Sequence, residues 1–174
     1  LEGGRIENIW VLDTEEALLL RSREAFFDEQ DQAERLPGDR WMIYGPCEYV
    51  PPVQVEILQK RVAIPLDENE GVYVRDLTTG RVRAVHSQVY MLKPMEELWE
   101  KELPRVVEDL LSQDADQSSG LRTTGHSGAR DKTRVVNYRI PHGSACQIYD
   151  YKDKKPRVIF GPNMHMLGPD EQFT

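Results

Sequence analysis

Residues 73–98, YVRDLTTGRVRAVHSQVYMLKPMEEL, align with residues 148–173, IYDYKDKKPRVIFGPNMHMLGPDEQF, without a gap. Met91 falls on Met166, Leu92 on Leu167, Pro94 on Pro169, Glu96 on Glu171, and Val85 on Phe160. Upstream, VAIPLDENEGVYV (62–74) matches YRIPHGSACQIY (138–149) with one gap. The N-terminal stretch follows the same plan: IWVLDTEEALLLR (9–21), a longer tip over 22–39, then RWMIYGPCEYVPP (40–52). A unit used three times forbids one large core and requires small modules that lean on their neighbours.

Period-two alternation identifies the unit as β structure. Val53, Val55 and Ile57 alternate with Gln54 and Glu56, Val82 and Ala84 with Arg81 and Arg83, Val136, Tyr138 and Ile140 with Asn137 and Arg139, and Trp41 and Ile43 with Met42 and Tyr44. Turn chemistry (LPGD, YGPC, DENEG, LTTG, FGPN, LGPD) separates the runs, which points to short antiparallel strands. Ile43-Tyr44-Gly45-Pro46 and Ile159-Phe160-Gly161-Pro162 say the same phrase twice. Glycine admits unusual backbone angles and proline removes a ladder donor, so the phrase reads as a strand terminator rather than a ligand loop.

Two segments depart from the β plan. Leu103, Val106, Val107, Leu110 and Leu111 have helical spacing, and Pro104 is placed like the first residue of a helix, which predicts a short helix near 104–112. Residues 113–132 are polar and rich in Ser, Thr and Gly, and read as a flexible linker. The expected organisation is a β-repeat unit over 1–58, a second over 59–112 that ends in the helix, the linker, and a third, truncated unit over 133–174. The fold class is mainly β: tandem small antiparallel sheets in an elongated rod, with one short helix.

Composition narrows the function. A net charge of −8 opposes phosphate-backbone binding as the main activity. No apolar run approaches the roughly 20 residues of a membrane span, and LEGGRIENIW lacks the features of a signal peptide. The chain opens on Leu1 rather than Met, as a piece of a longer protein would. Cys47 and Cys146 fit no CxxC pattern and read as reduced thiols, with a single disulfide as the alternative.

Candidate chemistry is sparse. Asp67, Glu68, Asn69 and Glu70 could gather around calcium, as could the carboxylates of 28–39, but neither has EF-hand spacing. His142 and Cys146 are one loose pair, and His86, His126, His165 and Cys47 are scattered, which is poor zinc spacing. Ser144 lacks the flanking glycines of a nucleophile elbow, GHSGAR (125–130) lies in the linker, and no phosphate-binding glycine motif occurs. Tyr49, Tyr73, Tyr90, Tyr138, Tyr149, Trp10, Trp41 and Trp99 could stack bases, but at repeat-equivalent strand positions they read as packing. No catalytic, cofactor-binding or metal-ligating residue is assigned, and no cofactor.

Residues 45–85, with YML (90–92) and LWEKELP (98–104), resemble the repeat region of the major vault protein family, and so do residues 132–174. The resemblance covers almost the whole chain. It implies a place among the last repeats before the family's shoulder domain, the shoulder and cap being absent. It implies that identical chains stand side by side as staves in the hollow wall of the vault ribonucleoprotein particle. It further implies self-association, a cytoplasmic location with a nuclear one beside it, and a poly(ADP-ribose) polymerase and a telomerase-associated protein as other components. It implies no enzymatic activity, no membrane and no direct nucleic-acid contact through this segment. His86-Ser87 departs from the family pattern where a Gly-containing turn is expected. Arg21, Arg23, Arg75, Arg81 and Arg83, against Glu24, Asp28, Glu68, Glu70 and Asp76, suit polar lateral contacts. Two alternatives stand beside the structural role: a β-module capturing a partner peptide on a strand edge, and a weak calcium-binding module.

Overall fold

The computed structural model describes residues 8–118 and 130–174, with side chains omitted for 114–118. The linker expectation over 113–132 therefore falls partly outside the described residues. The chain divides into two compact units, Leu1–Pro65 with Val89–Glu97, and Leu66–Gln88 with Leu98–Thr174.

In the first unit β1 (Trp10–Leu12) turns into β2 (Glu16–Ser22), a hairpin of β3 (Phe26–Asp28) and β4 (Ala33–Arg35) forms the long tip, and β5 (Arg40–Tyr44), β6 (Cys47–Tyr49) and β7 (Val55–Val62) follow. β2 is the middle of a three-stranded sheet, between β5 and β7, while β1 pairs with β6 and β3 with β4, all antiparallel. Ala17, Leu18, Leu19 and Leu20 are all buried, because this sheet is covered on both faces. Leu18, Leu20, Trp41 and Val55 pack on one side with Leu12 and Tyr49; Ala17, Leu19 and Met42 pack on the other with Leu58 and Met91. Consecutive Ile57 and Leu58 point to opposite faces of β7 and so serve opposite cores, and a register shift at Leu19/Leu20 leaves Leu58 without a directly opposed partner. Met42 lies on the face opposite Trp41, as the alternation predicts, and is buried there because that face is covered too. One expectation fails locally: Val53 is 67% exposed in the turn before β7.

Residues 89–97 return to this unit. Tyr90 bridges Ile64, and the buried Arg61 guanidinium donates to the carbonyls of Leu92 (3.3 Å), Lys93 (2.5 Å) and Glu96 (2.8 Å).

In the second unit β8 (Gly71–Asp76) pairs with β9 (Val82–His86). Its other edge meets the chain just past β10 (Glu96–Leu98), where the Trp99 N–H donates to Tyr73 O at 2.9 Å. The same edge is then taken up by later residues: Tyr73 N–H donates to Thr133 O, Val135 N–H to Gly71 O, and Val72 bridges Arg134. One strand is thus interrupted, and α1 (Arg105–Ser118) is part of the excursion. The helix follows Pro104, as expected, but runs past 112 into the expected linker. Val107 and Leu111 pack on Leu103, Val136, Ile148 and Leu167, leaving Val106 and Leu110 exposed.

β11 (Asn137–Ile140), β12 (Ala145–Asp150), β13 (Lys155–Phe160), β14 (Asn163–Met166) and β15 (Glu171–Phe173) complete the chain, with β12 between β13 and β15, and β11 paired with β14. No helix among the described residues is long and apolar enough to cross a membrane.

The three copies share one wiring. Leu12 faces Cys47 across β1–β6, and Ile140 faces Asn163 across β11–β14, each partner following a Gly-Pro pair. Gly45 N–H donates to Glu16 O, Ser87 N–H to Glu70 O, and Gly161 N–H to Ser144 O. Ser87 therefore occupies the glycine position of the middle copy, with φ at 61°, one residue later than the sequence alignment places it.

Candidate interaction surfaces

Each copy makes two tight turns in which one residue's N–H donates to a carbonyl three residues back: Glu16 to Asp13, Glu70 to Asp67, Ser144 to Pro141, Val55 to Pro52, Glu96 to Lys93 and Glu171 to Gly168. Where the turn's first residue has an N–H, the fourth is glutamate and its carboxylate accepts that N–H: Asp13 at 3.0 Å, Asp67 at 3.4 Å, Lys93 at 3.1 Å and Gly168 at 2.8 Å. Where the first residue is Pro52 or Pro141 there is no N–H, and the fourth is Val55 or Ser144. The side chain matches the donor that the backbone presents. In Glu16 this hydrogen bond, with Lys60 beside it, holds the carboxyl below its ordinary range.

The acidic loop 66–71 is one of these turns, and its Asp67, Glu68, Asn69 and Glu70 are all exposed. In the tip, Asp28 and Asp31 pair with Arg35, and Asp39 accepts the Leu36 N–H. Among the described residues no three His, Cys, Asp or Glu side chains converge as a metal would need. His142 is exposed in its turn and Cys146 is half-buried, its thiol pushed up by burial; both cysteines are free. His165 Nε2 lies 2.9 Å from Glu171, which also pairs with Arg157. His126 and GHSG lie outside the described residues.

Most aromatics pack. Tyr73 is fully buried, donates to Leu167 O at 2.7 Å, accepts the Val136 N–H at 3.2 Å and meets Trp99 edge-on. Burial pushes its phenol up to about 12. Lys101, 1% exposed, sets its ammonium 5.9 Å from both rings and donates to Pro169 O at 2.7 Å.

Four surface features remain. First, the ring just before each strand end is exposed: Tyr44, His86 and Phe160, with Phe160 73% exposed. Second, β13 is an edge strand that carries Lys155, Pro156 and Arg157, residue types that discourage strand addition. Third, Trp41, Tyr49, Phe26 and Phe27 line a cleft of about 390 Å³ in the first unit. Fourth, an apolar groove of about 510 Å³ in the second unit is bounded by Val107, Leu111, Phe173 and the Ala145–Cys146 edge of β12, whose counterpart in β2 is covered by β7. The sequence had assigned Trp41 and Tyr49 to packing alone; only the fold-back of the β3–β4 tip brings Phe27 over them.

Three tandem copies of one small antiparallel unit, wired alike and without convergent catalytic groups among the described residues, define a β-repeat protein. Models of the Major Vault Protein repeat domain match residues 10–52, 63–119 and 135–174. Major vault protein alpha of Dictyostelium discoideum is 61% identical over the whole chain, the Danio rerio major vault protein 58% and the Bos taurus major vault protein 50%. The chain covers 20%, 22% and 20% of those proteins, so it spans about a fifth of their length. The chain belongs to the major vault protein family and is a segment of its repeat region.

Proposed function

We propose that the segment is a structural, non-catalytic component of a vault wall, packed side by side with identical segments of neighbouring chains. The observation that carries this is the exposed ring at one topological position of every copy, Tyr44, His86 and Phe160. A stave that meets its neighbour at each repeat needs equivalent contacts in each repeat, individually weak and collectively sufficient. Family membership, with relatives that are major vault proteins, supports the same role. On this reading the first partners are copies of itself, the location is cytoplasmic and also nuclear, and a poly(ADP-ribose) polymerase or telomerase-associated protein would meet the assembled wall.

The test is made in a full-length family member carrying Tyr44→Ser and Phe160→Ser at the matching positions. Both rings are exposed, so folding is spared. Negative-stain microscopy should show broken or missing walls. Intact particles in normal yield would refute the role given to these rings.

A further inference from the structure

The first copy alone replaces the tight tip of the unit with a β3–β4 hairpin, and that hairpin builds a cleft. Arg35 fixes it: its guanidinium lies 4.4 Å over the Trp41 ring, pairs with Asp28 at 3.1 Å and pairs also with Asp31. Phe26 leans on Trp41 at 6.2 Å. The resulting trough of about 390 Å³ has Trp41 and Tyr49 in its floor and Phe27, Pro52, Asp28 and Glu29 around them.

Two features do not follow from packing. Trp41 and Tyr49 are each only 6% exposed, yet neither the indole N–H nor the phenol O–H has a hydrogen-bond partner among the described residues. Neither is among the buried polar atoms sealed from solvent, so both groups keep access to solvent, and both residues line the trough. Buried Tyr and Trp ordinarily find acceptors. The second feature is charge. Glu29 is exposed at the rim, and Asp28 lies near enough to Tyr49 to add to the burial that pushes its phenol up to about 12.

We propose that this cleft binds an extended, proline-rich polypeptide segment carrying a basic residue. A polyproline II helix makes no internal backbone hydrogen bonds, so its carbonyls are free to accept from Trp41 and Tyr49. Its proline rings pack against Phe27, which is 54% exposed, and Pro52 with little conformational entropy to lose. Pairing of Asp28 with Arg35 leaves Glu29 as the anion that selects Arg or Lys in the ligand. Charge complementarity excludes an acidic segment.

The test is fluorescence anisotropy of a labelled Arg-Pro-Leu-Pro-Pro-Leu-Pro peptide titrated with the 174-residue chain. The comparison peptide has alanine at each proline. Saturable binding of the first and none of the second is expected. Tyr49→Phe keeps the ring and loses one donor, so affinity should fall about three- to tenfold. Glu29→Lys, on an exposed residue, should abolish the preference for the arginine-bearing peptide over one with glutamate in its place. Equal binding of both peptides, no saturation, or insensitivity to Tyr49→Phe and Glu29→Lys would each overturn the proposal. So would self-association in sedimentation that Phe27→Ser abolishes in a chain that does not bind the peptide; the trough would then be a contact between copies.

Discussion

Glu171 accepts the backbone N–H of Gly168 at 2.8 Å, while Val55, in the same place of the first copy, follows a proline that has no N–H to offer. The glutamate is therefore matched to a donor rather than to a ligand. Glu171 also receives His165 at 2.9 Å and pairs with Arg157, and it is 8% exposed. Glu171→Ala strands these donors and should cost about 1–3 kcal/mol in urea unfolding. Glu171→Gln keeps an acceptor and should cost less. Equal losses from the two would show that the negative charge, not acceptance of the N–H, is what matters.

The repeated Gly-Pro phrase depends on a close approach. A β-carbon on Gly45 would lie 2.8 Å from the Asp13 carbonyl carbon, and one on Gly161 would lie 2.7 Å from that of Pro141. Both obstacles are backbone, which a rotamer change cannot relieve. Gly45→Ala and Gly161→Ala should each destabilise by about 1–3 kcal/mol or more. Gly38, by contrast, has a positive φ and nothing within 4 Å of its β-carbon, so Gly38→Asn should cost about 1–2 kcal/mol at most. Thermal melts of the three variants decide. A Gly45→Ala protein that melts with the parent would contradict the packing.

The pH response has two limbs. Hydrogen bonds from the backbone of Asp13, of Thr79 and Thr78, and from the Arg130 and Thr133 side chains, hold Glu16, Asp76, Glu108 and Asp131 below their ordinary values. For a lowered carboxyl the unfolded chain binds more protons in the acid range. Stability is thus full above the unfolded values of 4.5 and 3.8 and is lost as pH falls through the lower folded ones. Tyr49 and Tyr73 are raised from 10.0 to about 12, so the folded state keeps protons that the unfolded state gives up, and stability falls as pH rises from 10 towards 12. Ultraviolet titration of the folded chain should show two of the seven tyrosines ionising late, and Tyr49→Phe should remove one. All seven ionising together before unfolding would refute the burial assigned to these two.

Much of this was legible because the strands are short and local turns are strongly encoded. Val136 and Ile140, for example, are buried where the alternation puts them. The turn rule was not legible: a leucine stands four residues before each turn glutamate, at Leu12 and Glu16, Leu66 and Glu70, Leu92 and Glu96, and Leu167 and Glu171, but the same spacing at Leu20 and Glu24 and at Leu98 and Glu102 makes no such turn. Burial on both faces of β2 was hidden because a run such as Ala17–Leu20 has no period. The second half of the interrupted strand was hidden for a different reason. Thr133–Val135 completes the edge begun at Trp99, and nothing in either stretch names the other, since strand pairing is set by the partner β8. The cleft was hidden because its lining comes from three separate stretches, 26–30, 41 and 49–55.

The excursion from that strand is closed by Arg130, and this gives a local prediction. Lys101 N–H donates to Lys132 O at 2.9 Å, and Lys132 pairs with Glu102 at 2.8 Å. Arg130 adds paired bonds to Glu108 at 3.0 and 2.7 Å and a third to Lys101 O at 2.8 Å, which ties the first turns of α1 to the stem. A hydrogen bond to a charged group is worth about 1.5–3 kcal/mol, so Arg130→Ala should raise local opening of the helix roughly tenfold or more. Amide hydrogen exchange over 105–111 should accelerate by that factor. The β12–β13 pair, which shares no partner with Arg130, should keep its protection. Unchanged exchange in the helix would show that its packing on Leu103 and Ile148 suffices without the stem, and equal acceleration in β12–β13 would show that helix and sheet open as one unit.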